Sequence, residues 1–199
     1  MVHAPYKADI TAGSLKITES RIIADLLIQD VNKEAWDKAV LEKNVLQARS
    51  PETAKRLTRL IRNRLQTMEA HLWKLVRDGS GEVATHAILA AAVKHSPLLG
   101  DFLDLVVREQ YRIFKTTLAI RLWDEYLDDC RGRDPHMPIW NESTRKRLRS
   151  SVFQILAQAG FLENTRNRKL RTVRIATQVL QYLEEHQEHY TLRCIQVSP

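Results

Sequence analysis

Between Ser143 and Ile175 the chain reads STRKRLRSSVFQILAQAGFLENTRNRKLRTVRI, nine lysines and arginines against the single acid Glu163 apart from the charge-free residues between. Guanidinium and ammonium groups hold phosphates, and arginine also pairs with guanine edges. At about 100° per residue, Leu148, Val152, Ile155 and Ala159 form an apolar stripe. Lys146, Ser150, Phe153 and Gln154 fall on the opposite face, with Arg147 beside them. An amide such as Gln154 can bond adenine at two atoms, and a small Ser150 lets a helix approach a groove. The helix stops at Ala159-Gly160-Phe161-Leu162, and a polar tip follows with Arg166, Asn167, Arg168 and Lys169. Short strands at 161–163 and 170–175 would make this a β-hairpin wing, with Arg171 and Arg174 on the return. Helix, glycine stop, basic hairpin and apolar return is the order of winged helix-turn-helix domains.

A second helix repeats the pattern. Thr53-Ala54-Lys55-Arg56-Leu57 echoes Thr144-Arg145-Lys146-Arg147-Leu148. Leu57, Leu60, Ile61 and Met68 form its buried stripe, and Lys55, Arg59, Arg62 and Asn63 face away, with Arg56 at the edge. Asn63 and Gln154 each stand eight residues after the matching lysine. Taken singly, each helix reads as a solvated amphipathic face. The division of charge argues for more. Arg49 to Arg64 carries a net +5 and Arg131 to Arg174 a net +8, in a chain of net +7, so the remainder is acidic at −6. Segregation of this kind points to a polyanionic partner.

Other titratable clusters read as structural. Asp124, Glu125, Asp128 and Asp129 lack a histidine companion and are expected to end a solvated helix, paired with Arg131 and Arg133. His186 and His189 do not follow the HExxH order. Trp36, Trp73, Trp123 and Trp140 stand among apolar neighbours and are assigned to cores. Cys130 and Cys194 suggest neither a disulfide framework nor a zinc site. No catalytic residue, metal site, cofactor or small-molecule substrate is expected. The N-terminal MVHAPYKADITAGS has no apolar leader, and Val83 to Val93 is too short to span a bilayer, so no membrane association and a cytoplasmic location are expected.

Helical periodicity dominates the elements that must position these faces. Helices are expected from Thr18, from an Asn32 cap, from Ser50-Pro51 to about Arg77, and from Glu82 to His95. A long, kinked helical segment is expected from Pro97 to Asp129, a break at 131–135, the Asn141-capped basic helix, and a last helix at 176–188. The fold class is therefore all-α, a mainly helical globular fold with helix-turn-helix-like modules and a short β-hairpin wing near the C-terminus. Three segments are expected: an N-terminal helical module at 1–80, a central helical segment at 81–130, and a winged-helix-like module at 131–199.

Four blocks then carry a resemblance: ADITAGSLKITESRIIADLL, VLEKNVLQARSPETAKRLTRLIRNRL, PLLGDFLDLVVREQY and WNESTRKRLRSSVFQILAQAGFLE. In this order, over about 8–163, the chain resembles the BrxA family of bacteriophage-exclusion (BREX) defence systems. The resemblance implies a largely helical protein with helix-turn-helix character, a role in distinguishing or excluding phage DNA, and other BREX proteins as partners. It also implies that the enzymatic activities belong to those other components. The expected function is non-catalytic binding of double-stranded DNA through the two basic surfaces. The alternative is an RNA-binding helical module or a protein–protein adaptor. Phe153 is the one outward aromatic on either basic face, fewer than RNA recognition usually employs, which favours DNA.

Overall fold

The computed structural model describes residues 6–10 and 13–199, and the polypeptide in it is mainly helical. Residues 1–5 and 11–12, within the stretch read as lacking a leader, lie outside the described residues. Helix α1 spans Ile17–Ile28, and α2, Lys33–Asp37, passes into a π-helical turn at Lys38–Glu42. Then come α3 (Pro51–Leu65), α4 (Ala70–Asp78) and α5 (Gly81–His95). Helix α6 (Pro97–Asp101) runs through a π-helical stretch, Phe102–Val107, into α7 (Arg108–Arg112). The C-terminal half holds α8 (Arg121–Arg133), α9 (Glu142–Gln158), α10 (Thr177–Glu185) and α11 (His189–Ile195).

Helix α5 is the axis of the core. Every residue from Val83 to Val93 is buried, and α1, α3, α4, α10 and α11 all pack on it. A helix apolar on all sides has no face to offer water, so neighbours must surround it. Its alanines 84, 87, 90, 91 and 92 let those neighbours approach closely. One continuous cluster of buried side chains runs from Tyr6 to Val197 through this helix.

The expected caps form. Asn32 Oδ1 accepts from the Ala35 amide at 2.9 Å, Ser50 Oγ from Thr53 at 3.2 Å, and Asn141 Oδ1 from Thr144 at 2.8 Å. Several boundaries differ from the periodicity. The helix expected to reach Arg77 stops at Leu65, because the last carbonyls are claimed from outside it. The Trp73 indole donates to Leu65 O at 2.7 Å and Thr67 Oγ1 to Arg64 O at 2.6 Å, and α4 starts anew at Ala70. The long segment after Pro97 is interrupted at Phe114, where φ is 54°. Helix α8 continues through Arg131-Gly132-Arg133 and ends only at Asp134, later than the expected break. The helix expected at 176–188 is α10, which ends at Glu185 before Gln187 at φ 55°, and a further helix, α11, follows beyond the expected range.

A buried polar knot ties the chain's ends to this core. Asp101, 5% exposed, accepts from the Tyr6 hydroxyl at 2.7 Å and from the Tyr190 hydroxyl at 2.7 Å. Beside it, Ser96 Oγ donates to Asp9 at 2.6 Å. Burial pushes the carboxyl of Asp9 above the usual range, and the Ser96 hydroxyl opposes that rise. Tyr190 reaches Asp101 only because residue 100 is glycine: a Cβ there would overlap the tyrosine hydroxyl. Gly100→Ala is expected to lower unfolding stability by about 1–3 kcal/mol, as overpacking does. In a Tyr190→Phe background the same substitution is expected to cost less, since the overlapping oxygen is gone. Chemical denaturation of the four proteins in this cycle measures the difference.

Candidate nucleic-acid interface

Helix α9 presents Lys146, Arg147, Ser150 and Gln154 to solvent and buries Leu148, Val152, Ile155 and Ala159, as its periodicity requires. Phe153 departs from the expectation. It is 5% exposed, and its ring lies 6.5 Å from that of Phe102, which also meets Trp123 at 5.0 Å. The aromatic cluster of the π-helical stretch and α8 covers this flank of α9, widening the buried stripe beyond what α9 alone announces.

Acidic side chains of α8 then decide which α9 cations remain available. Arg149 reaches Asp124 at 2.8 Å, and Arg145 reaches Asp128 at 3.0 Å. The basic partners of that carboxylate cluster are thus Arg145 and Arg149 on α9 for Asp128 and Asp124, and Arg121 of α8 itself for Glu125, and not Arg131 and Arg133 as expected from chain proximity. Arg133 instead donates to Cys130 Sγ at 3.4 Å. Lys146 stands 3.4 Å from Glu142, an exposed pair worth little. Among the described residues, Arg147 forms no ion pair.

The basic loop after α9 is a compact turn without the expected strand ladder. Gly160, at φ 89°, reverses the chain in the left-handed region, and the Phe161 amide donates back to Leu156 O at 2.9 Å. Leu162 and Leu170 form a single antiparallel bridge, with Glu163 N to Lys169 O at 2.9 Å and Arg171 N to Phe161 O at 3.0 Å. Pairing stops there because the tip closes on itself. Asn164 Oδ1 accepts from the amides of Arg166 and Asn167, each at 2.9 Å. Arg168, at φ 52°, donates to Arg166 O at 2.8 Å, so its guanidinium holds the tip's backbone. Arg171 is ion-paired with Glu163. Arg166, Lys169 and Arg174 are exposed and form no ion pair among the described residues.

A third segment joins this loop that sequence reasoning placed inside a long helix. Thr116 O accepts from the Leu170 amide at 2.9 Å, the Leu118 amide donates to Arg168 O at 3.0 Å, and Thr117 bridges Lys169. The paired threonines 116 and 117 were the available signal, since β-branched neighbours favour extended backbone. The tip and α9 meet in one recess of about 220 Å3, lined by Ser150 and Gln154 from the helix and by Thr165 and Arg168 from the tip.

His86 of α5 pins both ends of the loop. Its Nδ1 accepts from the Ala176 amide at 3.1 Å, and its ring also bonds the Ala159 backbone. That pairing requires a neutral imidazole, and burial lowers its pKa below the ordinary value of 6.5.

The basic set on α3 is arranged differently. Lys55, Arg56, Arg59, Arg62 and Asn63 are all exposed, but Arg62 lies over the Trp36 ring at 4.7 Å. Lys55, Arg59, Arg62 and Asn63 line a separate cavity of about 630 Å3 shared with α1 and α2, while Arg56 points outside it. Trp36, assigned to the core from sequence, is therefore also one wall of this cavity. Elsewhere, His186 stacks on Tyr182 at 4.1 Å, and among the described residues no group of three His, Cys, Asp or Glu is placed to hold a metal. No helix among them is long and apolar enough to cross a membrane.

The chain is similar to known proteins over nearly its whole length. A model of the BrxA family matches residues 4–187. A BREX protein BrxA of Paramagnetospirillum magneticum (strain ATCC 700264 / AMB-1) is 53% identical over 198 residues, covering 100% of both chains. A BREX protein BrxA of Escherichia coli O9:H4 (strain HS) is 34% identical over 165 residues, 83% of this chain and 78% of that one. The crystal structure of a Magnetospirillum magneticum protein, 50% identical, superposes with a TM-score of 0.90 over 98% of this chain and 100% of that one.

The His86 clamp makes stability depend on pH. A histidine whose folded pKa lies below its unfolded value contributes stability above about pH 6.5, and that contribution is lost as pH falls toward the folded pKa. Urea unfolding at pH 7.5, 6.5 and 5.5 is expected to show a decline through this window. His86→Gln, which can keep an acceptor toward Ala176 and a donor toward Ala159, is expected to flatten it.

Proposed function

The chain belongs to the BrxA family, and from that premise we propose that it is a non-catalytic double-stranded DNA-binding component of a BREX phage-defence system. The observation that carries this reading is the shared recess of α9 and the tip, where Ser150 and Gln154 face Thr165 and Arg168. A helix face next to a basic turn is the arrangement by which winged helix-turn-helix domains place a helix in the major groove and a turn on the flanking backbone. The single bridge at Leu162 and Leu170, joined by Thr116 to Leu118, supports a short wing of this type.

Roles follow from what each side chain touches. Arg147, Arg166, Lys169 and Arg174 are exposed cations without ion pairs among the described residues and are assigned to phosphates, with Lys146 beside them. Arg168 and Arg171 shape the turn that presents them, through the Arg166 carbonyl and Glu163. Gln154 is assigned to a base edge. The burial of Phe153 removes the outward aromatic that an RNA platform on this face would use, which supports duplex DNA over the RNA alternative. Other BREX proteins are the expected protein partners.

Duplex binding measured by fluorescence anisotropy at several salt concentrations tests the reading. Neutralising about four to six phosphates predicts a slope of log K against log salt of about −4 to −5. Arg166→Ala is expected to weaken all duplexes alike and reduce that slope by about one contact. Gln154→Ala is expected to change preference at one base pair by about 1–3 kcal/mol. A flat salt dependence with wild-type protein overturns the duplex reading, and an unenriched pool from a random duplex library removes the role given to Gln154.

A further inference from the structure

The cavity between α1, α2 and α3 is built unlike the α9 face. Its volume, about 630 Å3, falls within the range of small-ligand sites, and its apolar lining includes Leu27, Val40, Leu41 and Trp73. Four cations line it: Lys33, Lys55, Arg59 and Arg62. Among the described residues none of the four forms an ion pair, although Asp30 and Asp37 line the same cavity. By contrast, Arg145 and Arg149 of α9 are already held by α8 carboxylates. Thr58, 7% exposed, also lines the cavity.

We propose that this cavity binds a single nucleotide unit, a nucleobase with its adjacent phosphate. Arg62 covers one side of the Trp36 ring at 4.7 Å, and a base laid on the free side of that guanidinium extends the stack, as guanidinium planes do with unpaired bases. Lys55 and Arg59 lie one helical turn apart on α3, and both line the cavity, suited to a phosphate. Asn63 and Gln66 supply donors and acceptors for the base edge or sugar. The ligand's mixed character decides against a purely anionic one: a bare phosphate would use the cations and leave the apolar floor and the amides idle. The inference does not depend on the duplex reading, since none of the α9 or tip residues lines this cavity. A nucleotide free in solution and a nucleotide unit at the end of a single strand present the same chemistry.

Isothermal titration of the full chain with AMP, with a single-stranded pentadeoxyadenylate and with inorganic phosphate tests the proposal. Saturable binding of AMP, or of the oligonucleotide where AMP fails, is expected, and the stronger of the two identifies the source. Lys55→Ala with Arg59→Ala is expected to weaken it at least tenfold, whereas Arg147→Ala leaves it unchanged even if duplex binding is lost. The proposal is overturned if neither nucleotide binds at millimolar concentration, or if phosphate alone binds as tightly as AMP. Binding insensitive to Lys55 and Arg59, or capture of an acidic polyglutamate peptide in place of nucleotide, overturns it equally.

Discussion

Burial of α5 on all of its sides governs the architecture around it. A helix whose buried run, Thr85 and His86 apart, is alanine, valine, isoleucine and leucine gains nothing from water on any side, so six other helices gather round it. Ser80 starts it, accepting from the Val83 amide at 3.4 Å, and His86 is the polar group that the packing must satisfy. The clamp from His86 to Ala159 and Ala176 fixes where α9 ends and where the chain re-enters the core. The basic turn projects between those two points. Packing of an apolar helix thus determines the placement of the most polar part of the molecule.

Electrostatic pairing across helices performs a second selection. The chain's basic islands are larger in sequence than on the surface, because Arg64 is 2% exposed and donates to Ser14 O, while Arg145 and Arg149 face α8 carboxylates. Burial lowers the pKa of Arg64 to about 10, still far enough above neutrality for the charge to persist, with Asp9 nearby supporting it. What remains free is divided between two differently shaped places: the convex face of α9 with its turn, and the recessed wall of α3 behind Trp36. Two helices that echo each other in four of five residues therefore present different surfaces, because α2 stands over one and not over the other.

Comparison of what periodicity implied with what packing produced separates local from distant causes. The three caps at Asn32, Ser50 and Asn141 were legible because a cap bonds an amide three residues away. The buried stripes of α3 and α9 were legible because side chains three and four apart share a face. The end of α3 was not, since the indole that takes Leu65 O comes from the next helix. Nor was the segment at 116–118, whose partners are more than fifty residues away in Lys169 and Leu170. The candidate site divides in the same way: the outward placement of Lys146, Ser150 and Gln154 was legible, while Thr165 as a companion and Trp36 as a wall were not.

Amino-acid order by itself determined the helical class, the apolar stripes, the glycine stop at Gly160 and the segregation of charge, all of which follow from contacts within about one helical turn. Tertiary structure alone decided that Phe153 turns inward, that Arg145 and Arg149 are taken by Asp128 and Asp124, and that the basic turn has two isolated bridges in place of strands. It also turned the outward face of α3 into a cavity. Side-chain periodicity specifies a direction from the helix axis, and only the neighbour that lies in that direction decides between solvent, ion pair and core.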